Sequence, residues 1–399
     1  MHSTAKAKST QPINEFLPQG EIDEIESRAR RQGYSTAAEY LLDLHRQATE
    51  ADPAIEMPPK QATKPQVAFK TDLGKIILGD SCAYLTNNVK DESVDLIMTS
   101  PPFGLVRKKA YGNEDADQYV QWFRKFGREF ARVLKPTGSL VIDIGGAWKP
   151  GTPTRSLYHY ELLIMLCRMC GFHLAQEFFW WNPAKLPTPA EWVNVRRVRV
   201  KDAVNCIWWL SKTPFPKVSN RRILQPYSES MKDLLKNGYK AKVRPSGHDI
   251  STKFQRDNGG AIPPNLIAIA NTESNGAYQR YCREHGIPEH PARFPAALPA
   301  MFIRMLTDKD DFVIDPFGGS CVTGAVADQM GRRWTCCELD SEYVEGAKGR
   351  FLSGAEVVDS LQFGRSAPYE IFPPALLLDE ENCPLVEDGG RERPKLNKS

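Results

Sequence analysis

The sequence predicts an α/β protein organised around an open, largely parallel sheet, and three features carry that expectation. From residue 71 onward, short apolar runs alternate with longer segments of helical period. Each run ends in polar, glycine or proline residues, as strands do where they deliver ligand-binding loops. The chain has 399 residues, 41% of them apolar, enough for two or three domains with a substantial core.

The apolar runs are KIILGD (75–80), VDLIMTSPP (94–102), SLVIDIGG (139–146), EFFWWNP (177–183), CIWWLS (206–211), DFVIDPFGG (311–319) and RWTCCELD (333–340), all of strand length. DQYVQWFRKFGREFARVLK (117–135) and YELLIMLCRMCGF (160–172) have helical spacing. Upstream, PINEFLP (12–18) is a short candidate strand, and GEIDEIESRARRQGY (20–34) is a helix with Ile22, Ile25 and Ala29 on one face and Gly33 as its stop. Thr36 and Glu39 have the spacing of a capping box before a second helix, YLLDLHRQA. These assign residues 1–50 to a small helical module and 51–70 to a Pro/Ala-rich linker, with 71–184, 185–288 and 289–355 forming the main body and 356–399 a tail.

No window approaches the apolar length of a membrane span, and no apolar stretch follows the first lysines, so a cytoplasmic location without membrane contact is expected. Nine cysteines then read as reduced thiols. Cys167 and Cys170 near His173 have no second pair at zinc spacing, and no metal site is assigned. Charge is unevenly spread: residues 185–256 hold 16 Lys/Arg against 5 Asp/Glu, whereas the first 70 residues hold 9 against 10. Such a concentration favours a polyanionic partner.

Two constellations carry chemistry. Asp315-Pro-Phe317-Gly318-Gly319 follows a strand and opens a helix, so glycine allows close backbone approach where N–H groups are unpaired. Its spacing is neither the dinucleotide nor the triphosphate pattern, and the next strand ends at Glu338, a carboxylate suited to two ribose hydroxyls. Upstream, one strand ends at Asp80 and another at Ser100-Pro101-Pro102-Phe103. Two successive prolines donate no N–H, so the turn presents carbonyl oxygens suited to an exocyclic amine, with an aromatic ring alongside to stack on a flat base. No Pro-Cys pair occurs, which disfavours a covalent cysteine mechanism at a ring carbon.

These motifs resemble those of the S-adenosylmethionine-dependent DNA amino-methyltransferases, and a Ser rather than an Asp before the two prolines resembles the cytosine-N4 enzymes. The resemblance spans about residues 71–353 and includes WNPAKLPTPAEWVN, RVKDAVN, RPSGHDI, NGGAIPPNL, TESNG and HPARFPA. The motif order, S-P-P-F first and D-P-F-G-G-S last, is similar to the circularly permuted beta group. It implies a permuted Rossmann-like methyltransferase sheet with a basic target-recognition region inserted at 185–288. It also implies that Asp80, Asp315, Phe317, Gly318, Gly319 and Glu338 serve the cofactor, and that HPARFP closes its pocket. Ser100, Pro101, Pro102, Phe103 and Asp143 would serve the target amine, with Phe103 first and Trp181 second as stacking rings. Cys321 and Val322 depart from the commoner Gly and Thr of the loop.

For DNA, the candidates are Arg107, Lys108 and Lys109 after the catalytic turn, Arg196, Arg197, Arg199 and Lys201 in the basic region, and Arg244 and His248 in a later loop. If residues 196–201 formed a strand, Arg197, Arg199 and Lys201 would share one face. The resemblance implies modification of the inner cytosine of CAGCTG in double-stranded DNA, beside a cognate restriction endonuclease. Adenine-N6 methylation and a non-catalytic DNA-binding regulator are the alternatives. The N-terminal segment resembles the ribbon-helix-helix modules of bacterial repressors, which implies a homodimer; a plain helical hairpin fits equally.

Overall fold

In the computed structural model the described residues are 19–41, 64–104, 116–149, 151–238, 256–272 and 274–352. The chain divides into two compact units, Met1–Ala62 and Thr63–Ser399. Of the first, the described part is a helix Gln19–Arg31, a turn through Gly33 at φ +84°, and the start of a second helix. The capping box forms with a shifted partner. Thr36 Oγ1 accepts from Glu39 N at 3.1 Å, while the Glu39 carboxylate reaches back to Ser35 N, also at 3.1 Å. The candidate strand 12–18 lies outside the described residues.

The second unit is built on one nine-stranded sheet, β1 (Gln66–Lys70), β2 (Gly74–Leu78), β3 (Val94–Thr99), β4 (Leu134–Ile144), β5 (His173–Trp181), β6 (Val204–Ser211), β7 (Leu266–Ala268), β8 (Phe312–Asp315) and β9 (Arg333–Glu338). Its order is β1-β2-β9-β8-β3-β4-β6-β5-β7. All seven expected strands form. The five central ones, β2-β9-β8-β3-β4, are parallel, but β1 and β6 run antiparallel to their neighbours, so the sheet is mixed. β6 and β7 come from the 185–288 segment and complete the sheet beyond β4.

Both faces are covered, which explains why the strands read as continuous apolar runs. Ile76, Leu96, Met98 and Val141 face a core with the helices Ala297–Leu306 and Val322–Gln329. Their neighbours Ile77, Ile97, Leu140 and Ile142 face the opposite core, under the helices Ala116–Val133 and Tyr158–Met169. This period-two partition fixes the register, and with it the edge at which the loops emerge. β3 and β8 are neighbours, with Leu96 pairing with Val313, and from this pair the chain builds the sheet outward in opposite directions, β8 to β9 and β3 to β4. Their carboxyl ends define the switch point where an open α/β sheet places its ligand.

Candidate active site

The sequence motifs converge at that edge. β8 ends at Asp315, whose side chain is 1% exposed. Thr99 Oγ1 donates to its Oδ1 and Thr323 Oγ1 to its Oδ2, each at 2.7 Å, and Phe317 N also donates to Oδ1, at 3.1 Å. Burial pushes its pKa up to about 6 against the pull of these donors. Asp315 therefore organises the loop from within. Phe317 turns into an aromatic cluster with Trp122, Phe123 and Phe126, its ring centroid 5.0 Å from that of Phe126.

The glycine turn is held against β9. Gly318 N donates to Cys337 O at 2.7 Å and Gly319 N to Glu338 Oε2 at 2.8 Å. Gly319 and Cys321 both take left-handed conformations, φ +50° and +52°, and a Cβ on Gly319 would stand 3.2 Å from the His290 ring. His290, the first residue of HPARFP, thus stands against the turn. Glu338 Oε1 accepts from Leu339 N and Asp340 N, at 2.8 and 3.0 Å, yet burial still raises its pKa. Asp80, after β2, caps the helix Ser81–Asn88 through a 2.7 Å bond from Ala83 N to Oδ1.

A nucleoside-bearing cofactor fits this arrangement on two observations. The glycine turn leaves backbone where a side chain would stand, and Glu338 offers a half-buried carboxylate one strand away. Its Oε2, which accepts only from Gly319 N, has a second lone pair for a ribose hydroxyl.

On the other side of the switch point, Ser100 follows β3 and Asp143 lies near the end of β4. Ser100 Oγ donates to Asp143 Oδ2 and Asn205 Nδ2 to Asp143 Oδ1, both at 3.1 Å. Asp143 is 2% exposed, and burial raises its pKa to about 6 despite these two bonds and nearby Lys185. Pro101 is buried, and Phe103 rests over Gly145, where a Cβ would meet its ring at 2.5 Å. Tyr158 donates its hydroxyl to Gly145 O and fixes that backbone from beneath. Asn205 was not singled out by the sequence, because its partner is 62 residues away and only the β4–β6 pairing joins them.

Beside this cluster is a cavity of about 150 Å³ lined by Trp180, Asn182, Lys185, Ala203, Asn205 and Asn271. Trp180 lines it, whereas Trp181, the second candidate for a stacking ring after Phe103, does not.

The basic segment differs from the strand expected of it. Residues 191–195 form a π-helical turn and Arg197 is left-handed at φ +53°, which breaks any alternation of faces. Arg199 turns inward to Asp202 at 3.2 Å, its side chain 16% exposed. Lys201 Nζ donates to Pro183 O and Lys185 O, each at 3.2 Å, and so pins the loop beside the cavity. Arg196 pairs with Glu191 at 2.8 Å and lies over the Trp192 ring, while Arg197 is exposed. Arg107, Lys108, Lys109, Arg244 and His248 lie outside the described residues, as do residues 353–399. No described helix is long and apolar enough to cross a membrane.

Residues 94–349 match the N6/N4 family whose description is DNA methylase. The type II methyltransferase M.PvuII of Proteus hauseri is 52% identical over 288 residues, 71% of this chain and 85% of that protein. The type II methyltransferase M.BglII of Bacillus subtilis is 28% identical over 289 residues, 71% and 70% of the two chains. Among solved structures, the PvuII DNA methyltransferase (cytosine-N4-specific) superposes with a TM-score of 0.60 at 44% identity, covering 74% of this chain and 91% of that one.

Proposed function

This chain belongs to the N6/N4 DNA methylase family, and from that premise we propose that it transfers a methyl group from S-adenosylmethionine to the N4 amine of a cytosine in double-stranded DNA. The observation that carries the reading is the Ser100–Asp143–Asn205 cluster standing across the switch point from the Gly318-Gly319 turn and Glu338. The named activities of M.PvuII and of the cytosine-N4-specific structure support the choice of amine.

When bound, S-adenosylmethionine supplies a methyl group on a positively charged sulfur. Glu338 would accept a hydrogen bond from its ribose, Asp80 would serve its adenine amine, and Gly318 and Gly319 would admit its chain against their backbone. An aromatic amine is a poor nucleophile, because its lone pair is delocalised into the ring. The Pro101 carbonyl and Ser100 hydroxyl hold its N–H groups so that the lone pair is freed toward the methyl donor. Asp143, its pKa raised to about 6, would take up the amine proton as the new N–C bond forms and the methyl's bond to sulfur breaks, the electron pair staying on sulfur as a neutral thioether. Phe103 and Pro102 border the base, which must leave the duplex at a cost of a few kcal/mol.

Phosphate contacts fall to Arg107, Lys108, Lys109, Arg196, Arg197 and Lys201, with Arg199 orienting Asp202, and base-edge contacts to Arg244 and His248. The relatives' type II character supports a restriction-modification role with a cognate endonuclease, and the CAGCTG site that the resemblance implies is part of the same proposal. The N-terminal unit would add a dimer contact.

The test incubates the protein with S-adenosylmethionine and mixed-sequence duplex DNA, digests the product to nucleosides, and identifies the methylated one by mass spectrometry. N4-methylcytosine is expected. N6-methyladenine would overturn the target and keep the machinery; tight DNA binding without transfer would favour a regulator.

A further inference from the structure

The cavity beside Asp143 is distinct in composition from the turn that grips the amine. Its walls come from the carboxyl end of β5 and the loop after it (Trp180, Asn182, Lys185), the start of β6 (Ala203, Asn205) and the residue Asn271 beyond β7. It adjoins the catalytic cluster through Asn205, whose amide Nδ2 is committed to Asp143. That bond leaves the Asn205 carbonyl oxygen as an acceptor. Asn182 is oriented the other way. Its Oδ1 accepts from Ala184 N at 3.1 Å and Asn271 N at 3.2 Å, which leaves its amino group to donate. Lys185 adds an ammonium group, and Lys201 holds its loop by the two carbonyl bonds already described.

Polar character therefore changes across the cavity. Near Asp143 stand acceptors: Asn205 Oδ1 and the carboxylate itself. On the β5 side stand donors: Asn182 Nδ2 and Lys185 Nζ. A cytosine ring edge presents the complementary order of amine donor, N3 acceptor and O2 acceptor. Thymine places an oxygen where cytosine has its amine, and so meets acceptor with acceptor. On the same edge adenine has an amine and one ring acceptor but a C–H in place of O2, and it has two rings. A cavity of about 150 Å³ is the size that admits a single six-membered ring. Trp180, 6% exposed and tied by its indole N–H to Ile269 O at 2.9 Å, gives one rigid apolar wall.

We propose that this cavity reads the ring edge of the flipped cytosine, with Asn182 donating to N3 and Lys185 to O2, and that these two residues set pyrimidine specificity. The inference rests on the cytosine-N4 reading above and adds the residues that enforce it.

The test uses the full-length protein and a duplex whose modified cytosine has first been mapped. The target is then replaced by 3-deazacytosine, which keeps the amine and O2 and has C–H in place of N3. Single-turnover methyl transfer is compared for wild type, Asn182→Asp and Lys185→Met. Asn182→Asp keeps the oxygen that accepts from Ala184 and Asn271 but faces N3 with an acceptor. It should slow transfer to cytosine roughly 10- to 100-fold while abolishing or reversing the wild-type preference over 3-deazacytosine. Intrinsic amine reactivity cancels in that double comparison. Lys185→Met should slow both substrates about equally, by roughly tenfold or more, because both keep O2. Calorimetric affinity for S-adenosylmethionine and the thermal midpoint should stay at wild-type values in both variants. A wild-type cytosine preference retained in Asn182→Asp, or an unchanged rate in Lys185→Met, would overturn the inference. Failure of the wild type to modify any cytosine would instead overturn the proposed function.

Discussion

Thr99 donates its hydroxyl to Asp315 Oδ1 at 2.7 Å, joining two strands whose residues are 216 positions apart. The bond ties the strand leading into Ser-Pro-Pro-Phe to the strand leading into the glycine turn, so the two halves of the site share one buried anchor. Thr99→Val keeps the shape and removes the donor from a buried carboxylate. It should destabilise the protein by about 1.5–3 kcal/mol at pH 8, with the loss shrinking below pH 6 as Asp315 is protonated. Denaturant melts at both pH values measure this.

Asp143 poses the opposite trade. Its pKa is raised to about 6 in the folded protein, so it favours the native state most below the unfolded carboxyl range, and that contribution is lost as pH rises through about 6. Asp143→Asn removes a buried charge while keeping an acceptor for Asn205. The variant should gain stability relative to wild type as pH rises from 4 to 8, by up to about 2–3 kcal/mol, while methyl transfer falls at least 100-fold. Parallel melts and single-turnover assays test both halves.

The same group sets the acid limb of the rate profile. Methyl transfer should decline below about pH 6, as Asp143 gains a proton and can no longer accept one. Asn205→Ala withdraws one of the two bonds that favour the carboxylate, so the limb should move to higher pH. A limb that stays put in Asn205→Ala would assign it to a different group.

Gly319 is the sensitive position of the cofactor turn. At φ +50° and with the His290 ring 3.2 Å from where a Cβ would be, Gly319→Val is both strained and crowded. Its affinity for S-adenosylmethionine should drop at least tenfold by calorimetry, with DNA binding largely retained.

Two arginines only two residues apart should behave differently. Arg197 is exposed, and Arg197→Ala should weaken binding to all DNA sequences alike and lower the slope of log affinity against log salt by about 0.9. Arg199 is turned onto Asp202, and Arg199→Ala should leave the salt slope near its wild-type value and lower thermal stability instead. Binding isotherms at three salt concentrations separate the two.

The seven apolar runs were legible as strands because both faces of the sheet are buried, and burial on both faces leaves an uninterrupted apolar record in the chain. The site motifs at 100–103, 315–319 and 338 were legible for a related reason: proline pairs and glycine turns restrict the backbone locally, so the residue types themselves announce the turn. The edge strands β1 and β7 and the antiparallel sense of β6 were not, since pairing direction is a property of two distant segments and leaves little trace in either. The basic residues at 196–201 show the same limit: their charge is plain, but Arg199 is drawn inward and Lys201 is tied to two loop carbonyls by partners that only the fold supplies. By itself, the sequence determined the sheet and the kind of turn at each strand end. Tertiary structure decided that Asp143 is buried between Ser100 and Asn205, that Thr99 and Thr323 hold Asp315, and that a small polar cavity adjoins them. Carboxylate pKa, hydrogen-bond polarity and cavity size depend on groups brought together across tens to hundreds of residues, and no local pattern encodes them.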